Sequence, residues 1–200
     1  MVRSPKLGIP EKVPVTIEIG RKIVHALWSV SILLFHRWGL VSVAWILFVF
    51  LLADFCRIEF GWTIPIVGRL IRNRDISSFN TGTQTMMGIV LAYGFFTPII
   101  ATTSIAMMAF GDIAANLVGR RFHQKLANGK SIAGFIGGLL VNIILGVAIL
   151  QNIPLALVMA IVASLTELFT SHLEDNFFMT VFAGFAGQVC LVLLIGSSLL

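Results

Sequence analysis

Long apolar runs separated by short polar connections make up most of the chain. A helix that crosses a bilayer needs about 20 mostly apolar residues. On that rule seven segments qualify, at 20–36, 39–56, 82–98, 99–119, 131–151, 154–172 and 177–198. The first is crowded at its start by Glu18, Arg21, Lys22 and His25, and only Pro98 divides the third from the fourth. Residues 57–80 form the longest polar connection, and 61–75 within it have the composition of a short interfacial helix. The pattern predicts an all-α polytopic membrane bundle of about seven helices. It forms one domain over 1–200, with a polar N-terminal segment (1–17), a cytoplasmic loop (57–80) and a basic cytoplasmic loop (120–130).

Composition agrees. The chain is 58% hydrophobic and 12% charged, with mean hydropathy +0.97, against about 25% charged in soluble domains. The net charge of +5 therefore points to topology and to anionic head groups or phosphates, not to nucleic acid. With the N-terminus inside, the inner segments carry Arg3, Lys6, Lys12, Arg21, Lys22, Arg57, Arg69, Arg72, Arg74, Arg120, Arg121, Lys125 and Lys130. These are 13 of the 14 Lys and Arg residues, leaving only Arg37 outside. Glu18, Asp54, Asp112, Glu167, Glu174 and Asp175 fall towards the same face. Cys56 and Cys190 suggest neither a disulfide framework nor a metal site, and the first 20 residues hold no apolar core of a signal peptide.

Several clusters carry chemistry. Asp112, Asn116 and Arg120 share one helix face, with Ala115 and Gly119 keeping the neighbourhood small. An acid at membrane depth is a functional candidate by default. The options are a magnesium ligand, a general base, or a structural pair with an arginine. Lys130 and Ser131 open an apolar helix. Ser131 suits an N-cap, and a capped helix start with a lysine makes an anion site. Gly134, Gly137 and Gly138 follow, spaced for close packing or for a phosphate, and the GxxxG at 134–138 also permits self-pairing. In ELFTSHLEDN, helical spacing puts Glu167, Ser171 and Glu174 on one stripe with Asp175 nearby. Hard oxygen donors in that number suit Mg²⁺ brought in with phosphates. Glu18, Arg21, Lys22 and His25 read from spacing as a juxtamembrane anchor, Asp54 and Arg57 as a self-neutralising pair, and Asn80 as an N-cap.

Taken in order, these segments resemble the CTP-dependent lipid-alcohol kinases, the family of dolichol kinase, phytol kinase and CTP-dependent diacylglycerol kinase. The matching residues are E-x-x-RK-x-x-H at 18–25, D-x-x-R at 54–57, TGT at 81–83, GDIAANLVGRRF at 111–122, KS-x-x-G-x-x-GG at 130–138, and Glu167 followed by Asp175 and Asn176. His123 departs from the glycine usual after that Phe. CDP-diacylglycerol synthase shares the central block but also carries a PGHGG signature, which is absent here.

The resemblance implies transfer of the CTP γ-phosphoryl group to a membrane lipid alcohol, of polyprenol, dolichol, phytol or diacylglycerol type. It implies Asp112, Lys130 and Glu167 as catalytic residues, and Asp112, Glu167, Asp175 and Asn176 as ligands of Mg²⁺. Arg21, His25, Asn116, Arg120, Arg121, Lys130, Ser131 and Gly134 would bind the nucleotide, on the cytoplasmic side. The rival readings are a cytidylyltransferase using the same CTP site, and a transporter, which would instead place its acids near the bilayer midplane.

Overall fold

The computed structural model describes residues 27, 30–61, 78–122, 126, 129–170 and 174–197. Among them every element is helical. The elements are α1 (Val30–Trp38), α2 (Leu40–Phe60), α3 (Thr81–Phe95), α4 (Pro98–Ala106), a π-helical turn (Met107–Gly111), α5 (Asp112–Arg121), α6 (Ile132–Leu150), α7 (Ile153–Phe169) and α8 (Asp175–Ser197).

Local chemistry explains the boundaries. Asn80 caps α3 by accepting from the Thr83 amide at 3.0 Å, as its sequence position predicts. Pro98 stands in the first turn of α4, where its missing N–H costs nothing. Gln151 closes α6 in the left-handed region (φ 52°), and Asn152 caps α7 by accepting from the Leu155 amide at 3.1 Å. Two residues therefore turn the chain between α6 and α7, which makes them an antiparallel pair.

α4, the π-turn and α5 form one continuous helix, Pro98–Arg121, at the centre of the bundle. Two-thirds of its apolar window (67%) is buried, against 11% for α2, which makes it the core element and leaves α2 to lipid. Ile100, Ile105, Met107 and Met108 from this helix meet Met86 and Ile89 of α3, Met159 of α7 and Met179 of α8 in one apolar core. α6, α7 and α8 wrap the central helix, α3 packs on α8, and α2 lies outside α3. The π-turn pairs residues at i→i+5 and so takes one residue more than an α-turn. Spacing counted from α4 therefore does not predict the face that Asp112 takes.

The chain is an all-α polytopic membrane protein. Among the described residues, four helices are long and apolar enough to cross a bilayer: Leu40–Phe60, Pro98–Arg121, Ile132–Leu150 and Asp175–Leu194. α3 (15 residues) and α7 (17 residues) are shorter than that measure, and the first expected span lies mostly outside the described residues.

Candidate functional site

The loop before α6 is built to present Lys130. The Leu126 amide donates to the Lys130 carbonyl at 2.7 Å, and the Gly129 amide donates to the Leu126 carbonyl at 2.9 Å. Gly129 adopts φ 80°, which a glycine accommodates without strain. Ser131 then caps α6, accepting from the Gly134 amide at 2.9 Å, as expected. Gly134 packs α6 onto α5, where a Cβ would come within 2.6 Å of the Ala115 carbonyl oxygen. Gly138 lies against Ala115 and the Gly111 carbonyl. The GxxxG face expected to permit self-pairing is thus occupied by α5 of the same chain.

The Lys130 ammonium reaches two acids distant in sequence. Nζ donates to Glu167 Oε1 at 2.6 Å and to Asp175 Oδ2 at 3.0 Å. Asp112 completes the group: one ligand oxygen from each of Asp112, Glu167 and Asp175 lies within 4.8 Å of the others. Asp112 and Glu167 are buried, at 2% and 5% exposure, so these two carboxylates are shielded from water. Burial works against the Lys130 charge, but the carboxylates of Asp175 and Glu167 outweigh it and hold its pKa above the ordinary lysine value.

Asn116 orients Asp112. Its Nδ2 donates to Asp112 Oδ1 at 2.6 Å and to the Asp112 carbonyl at 2.8 Å, the i, i+4 contact that the spacing predicts. Arg120 and Arg121 stand exposed at the end of α5. Asn176 is fully buried beside Asp175 in the first turn of α8. Arg21 and His25, like Glu18 and Lys22, lie outside the described residues.

One expectation needs correction. Glu167 and Glu174 do not share a helical stripe, because α7 ends at Phe169 and Thr170 is extended (ψ 119°). α8 begins afresh at Asp175. Glu167, near the end of α7, and Asp175, at the start of α8, meet at the Lys130 ammonium. Glu174 faces elsewhere, accepting from Thr81 Oγ1 of α3 at 3.1 Å.

That contact leads to a second polar cluster. Asp54 Oδ1 accepts from Arg57 Nε at 3.0 Å, from Arg57 Nη2 at 2.8 Å and from Asn80 Nδ2 at 2.9 Å. Its Oδ2 accepts from the Asn80 amide at 2.9 Å and from Thr83 Oγ1 at 2.6 Å. Arg57 Nη2 also donates to the Ser78 carbonyl at 2.6 Å. The Asp54–Arg57 pair expected from sequence is present, and it also binds the TGT segment.

Asn142 was not among the residues that the sequence singled out. It is the sole polar side chain of α6, it is 1% exposed, and its Nδ2 donates to Ser164 Oγ at 3.0 Å. An amide within an apolar run of spanning length is the signal that would have found it.

Two curated fungal enzymes are similar to this chain in sequence. CTP-dependent diacylglycerol kinase 1 of Saccharomyces cerevisiae is 26% identical over 143 residues, covering 64% of this chain and 48% of that protein. Its namesake from Eremothecium gossypii is 27% identical over 82 residues, covering 40% of this chain and 26% of that protein. The chain is a relative of the CTP-dependent lipid kinases. It spans about half the length, or less, of these curated kinases. No family model and no solved structure matches it. Segments on which the sequence resemblance rests also meet in space: D-x-x-R binds TGT at Thr83, and Lys130 binds Glu167 and Asp175.

Proposed function

We propose that the protein is a CTP-dependent lipid kinase, transferring the γ-phosphoryl group of CTP to the hydroxyl of a membrane lipid alcohol and releasing CDP. The observation that carries this reading is the convergence of Asp112, Glu167 and Asp175 on one point, with Lys130 between two of them. Diacylglycerol is the first acceptor to consider, from the names of the relatives. Polyprenol, dolichol and phytol are further acceptors of the same chemical class.

The donor set fits Mg²⁺. It consists of hard carboxylate oxygens in a cluster small enough for one ion to draw together. Asp112, Glu167 and Asp175 would hold the ion, with Asn176 beside them, and the ion would supply charge neutralisation for the triphosphate. The Lys130 ammonium is the cationic partner of Glu167 and Asp175. With nucleotide and its metal bound, Lys130 would bind phosphate oxygens together with Arg120, Arg121 and the capped start of α6. Arg21 and His25 belong to this nucleotide set by resemblance. Asp112, held by Asn116, accepts the hydroxyl proton. The acceptor oxygen then bonds to the γ-phosphorus, the bond from that phosphorus to the bridging oxygen breaks, and CDP leaves with the electron pair. The one-sided distribution of Lys and Arg supports a site that opens to the cytoplasm.

Purified protein in detergent, supplied with Mg²⁺, γ-labelled CTP and either diacylglycerol or a polyprenol, should give a labelled lipid monophosphate and CDP. Asp112→Asn should lose at least about 100-fold of that activity, the scale set by removal of a single electrostatic contact in an active site. Release of pyrophosphate with a CDP-lipid would instead establish a cytidylyltransferase. Full activity in Asp112→Asn would overturn the assignment of the base and metal ligand.

A further inference from the structure

We infer that Asn142 is a positioning residue that sets the spacing between the Asp112 and Glu167 carboxylates, by keying α6 into the π-turn on one side and into α7 on the other. This inference rests on the metal-binding reading of the carboxylate group.

Three observations carry it. First, the Asn142 carboxamide fills the space above Gly111, the last residue of the π-turn and the immediate neighbour of Asp112. A Cβ at Gly111 would overlap Asn142 Oδ1 and lie within 2.8 Å of Cγ. Second, Nδ2 donates to Ser164 Oγ, and Ser164 stands three residues before Glu167, one turn away on α7. One buried side chain therefore touches the elements carrying both acids. Third, Asn142 Oδ1 has no hydrogen-bond donor among the described residues. A buried acceptor left in that state carries an uncompensated desolvation cost, so an apolar side chain of the same shape would suit the bundle better. The carboxamide and Glu167 also line the same narrow crevice, together with Gly111, Gly138 and Ser164. An amide held at this cost, against the neighbours of both acids, acts on the site rather than on stability.

The consequence concerns ion choice. Mg²⁺ demands oxygen ligands at about 2.0–2.1 Å in near-octahedral order, whereas Ca²⁺ accepts about 2.3–2.6 Å in looser arrangements. A contact that fixes carboxylate spacing therefore governs both affinity and preference for the smaller ion.

The test is metal binding without turnover. Mn²⁺ is titrated into purified full-length protein in detergent, read by electron paramagnetic resonance, and then displaced with Mg²⁺ or Ca²⁺. Asn142→Leu and Ser164→Ala should each weaken Mn²⁺ binding by about 10–100-fold, the range for residues that orient metal ligands. They should also shift displacement in favour of Ca²⁺, while the metal-free melting temperature of Asn142→Leu stays level or rises. Gly111→Ala should weaken binding similarly. Because it acts through the same contact, its combination with Asn142→Ala should fall short of the sum of the two single effects. Ser164→Ala carries the test if Asn142→Leu does not fold. Unchanged Mn²⁺ affinity and ion preference in the variants, or strict additivity of the Gly111 and Asn142 substitutions, overturns the inference. A wild-type protein that binds no Mn²⁺ overturns the metal reading itself, and that arm separates the two failures.

Discussion

At the residue scale, Lys130 is held in place by charge. Its ammonium bonds two carboxylates at 2.6 and 3.0 Å, and its side chain is 22% exposed. Hydrogen bonds to charged groups contribute about 1.5–3 kcal/mol each. Two such bonds amount to about 3–6 kcal/mol, so at roughly 2–4 °C per kcal/mol for a chain of this size Lys130→Met should lower the metal-free melting temperature by roughly 6–24 °C. The folded-state pKa of Lys130 is raised. Its ion pairs therefore stabilise fully below the unfolded lysine value of about 10.4, and that contribution fades as pH rises through the folded value. The gap between wild type and variant should stay constant from about pH 7 to 9 and close only above about pH 10. Added Mg²⁺ should raise the melting temperature of Lys130→Met more than that of wild type, because the ion replaces the missing cation. An equal or smaller rise would show that the ammonium and the ion do not share a place.

At the element scale, Asp54 joins α2 to the start of α3 through three hydrogen bonds from Asn80 and Thr83, and accepts two more from Arg57 of its own helix. Asp54→Ala strips the acceptor from Arg57, Asn80 and Thr83 together. Breaking a buried ion pair on one side costs about 3–5 kcal/mol, so the variant should melt roughly 10 °C lower, as followed by circular dichroism in detergent. A shift under a few degrees would mean that water or lipid head groups take over those donors. Much at this scale was legible in the sequence. Asn80 and Ser131 announced their caps, Asn116 its contact with Asp112, and Arg57 its pair with Asp54, because each interaction spans three or four residues. The ELFTSHLEDN stripe was misread because helical spacing was carried past Phe169, and neither glycine nor proline marks the end of that helix. Lys130 lies 37 residues from Glu167 and 45 from Asp175. Only packing brings those three together, and no local pattern encodes it.

At the scale of the whole molecule, the proposed orientation rests on the distribution of charge. The polar clusters around Lys130 and Asp54 are linked through consecutive acids at the start of α8, with Glu174 bound to α3 and Asp175 to Lys130. Arg37, at the far end of α1, is the cation that the positive-inside pattern leaves on the opposite side. With Cys56 and Cys190 replaced by alanine, Arg121→Cys should react with an impermeant maleimide only from the cytoplasmic side, and Arg37→Cys only from the other. Labelling of both from one side would overturn the proposed orientation. Apolar periodicity foretold the helical segments, but not that one of them would be the buried axis. That follows from its small and polar residues, such as Ala101, Thr103, Ser104 and Ala109, which let neighbours close in around it.

The π-turn gives this axis an unusual property with respect to changes in length. Elsewhere in a buried helix, one residue gained or lost turns every later side chain by about 100°. Met107–Gly111 already contains the surplus residue of a wide turn. Removal of one residue there would restore an ordinary helix and leave α4 and α5 in their present registers, with Asp112 still facing its partners. The central helix can therefore change length by one residue at this point without displacing the charged site.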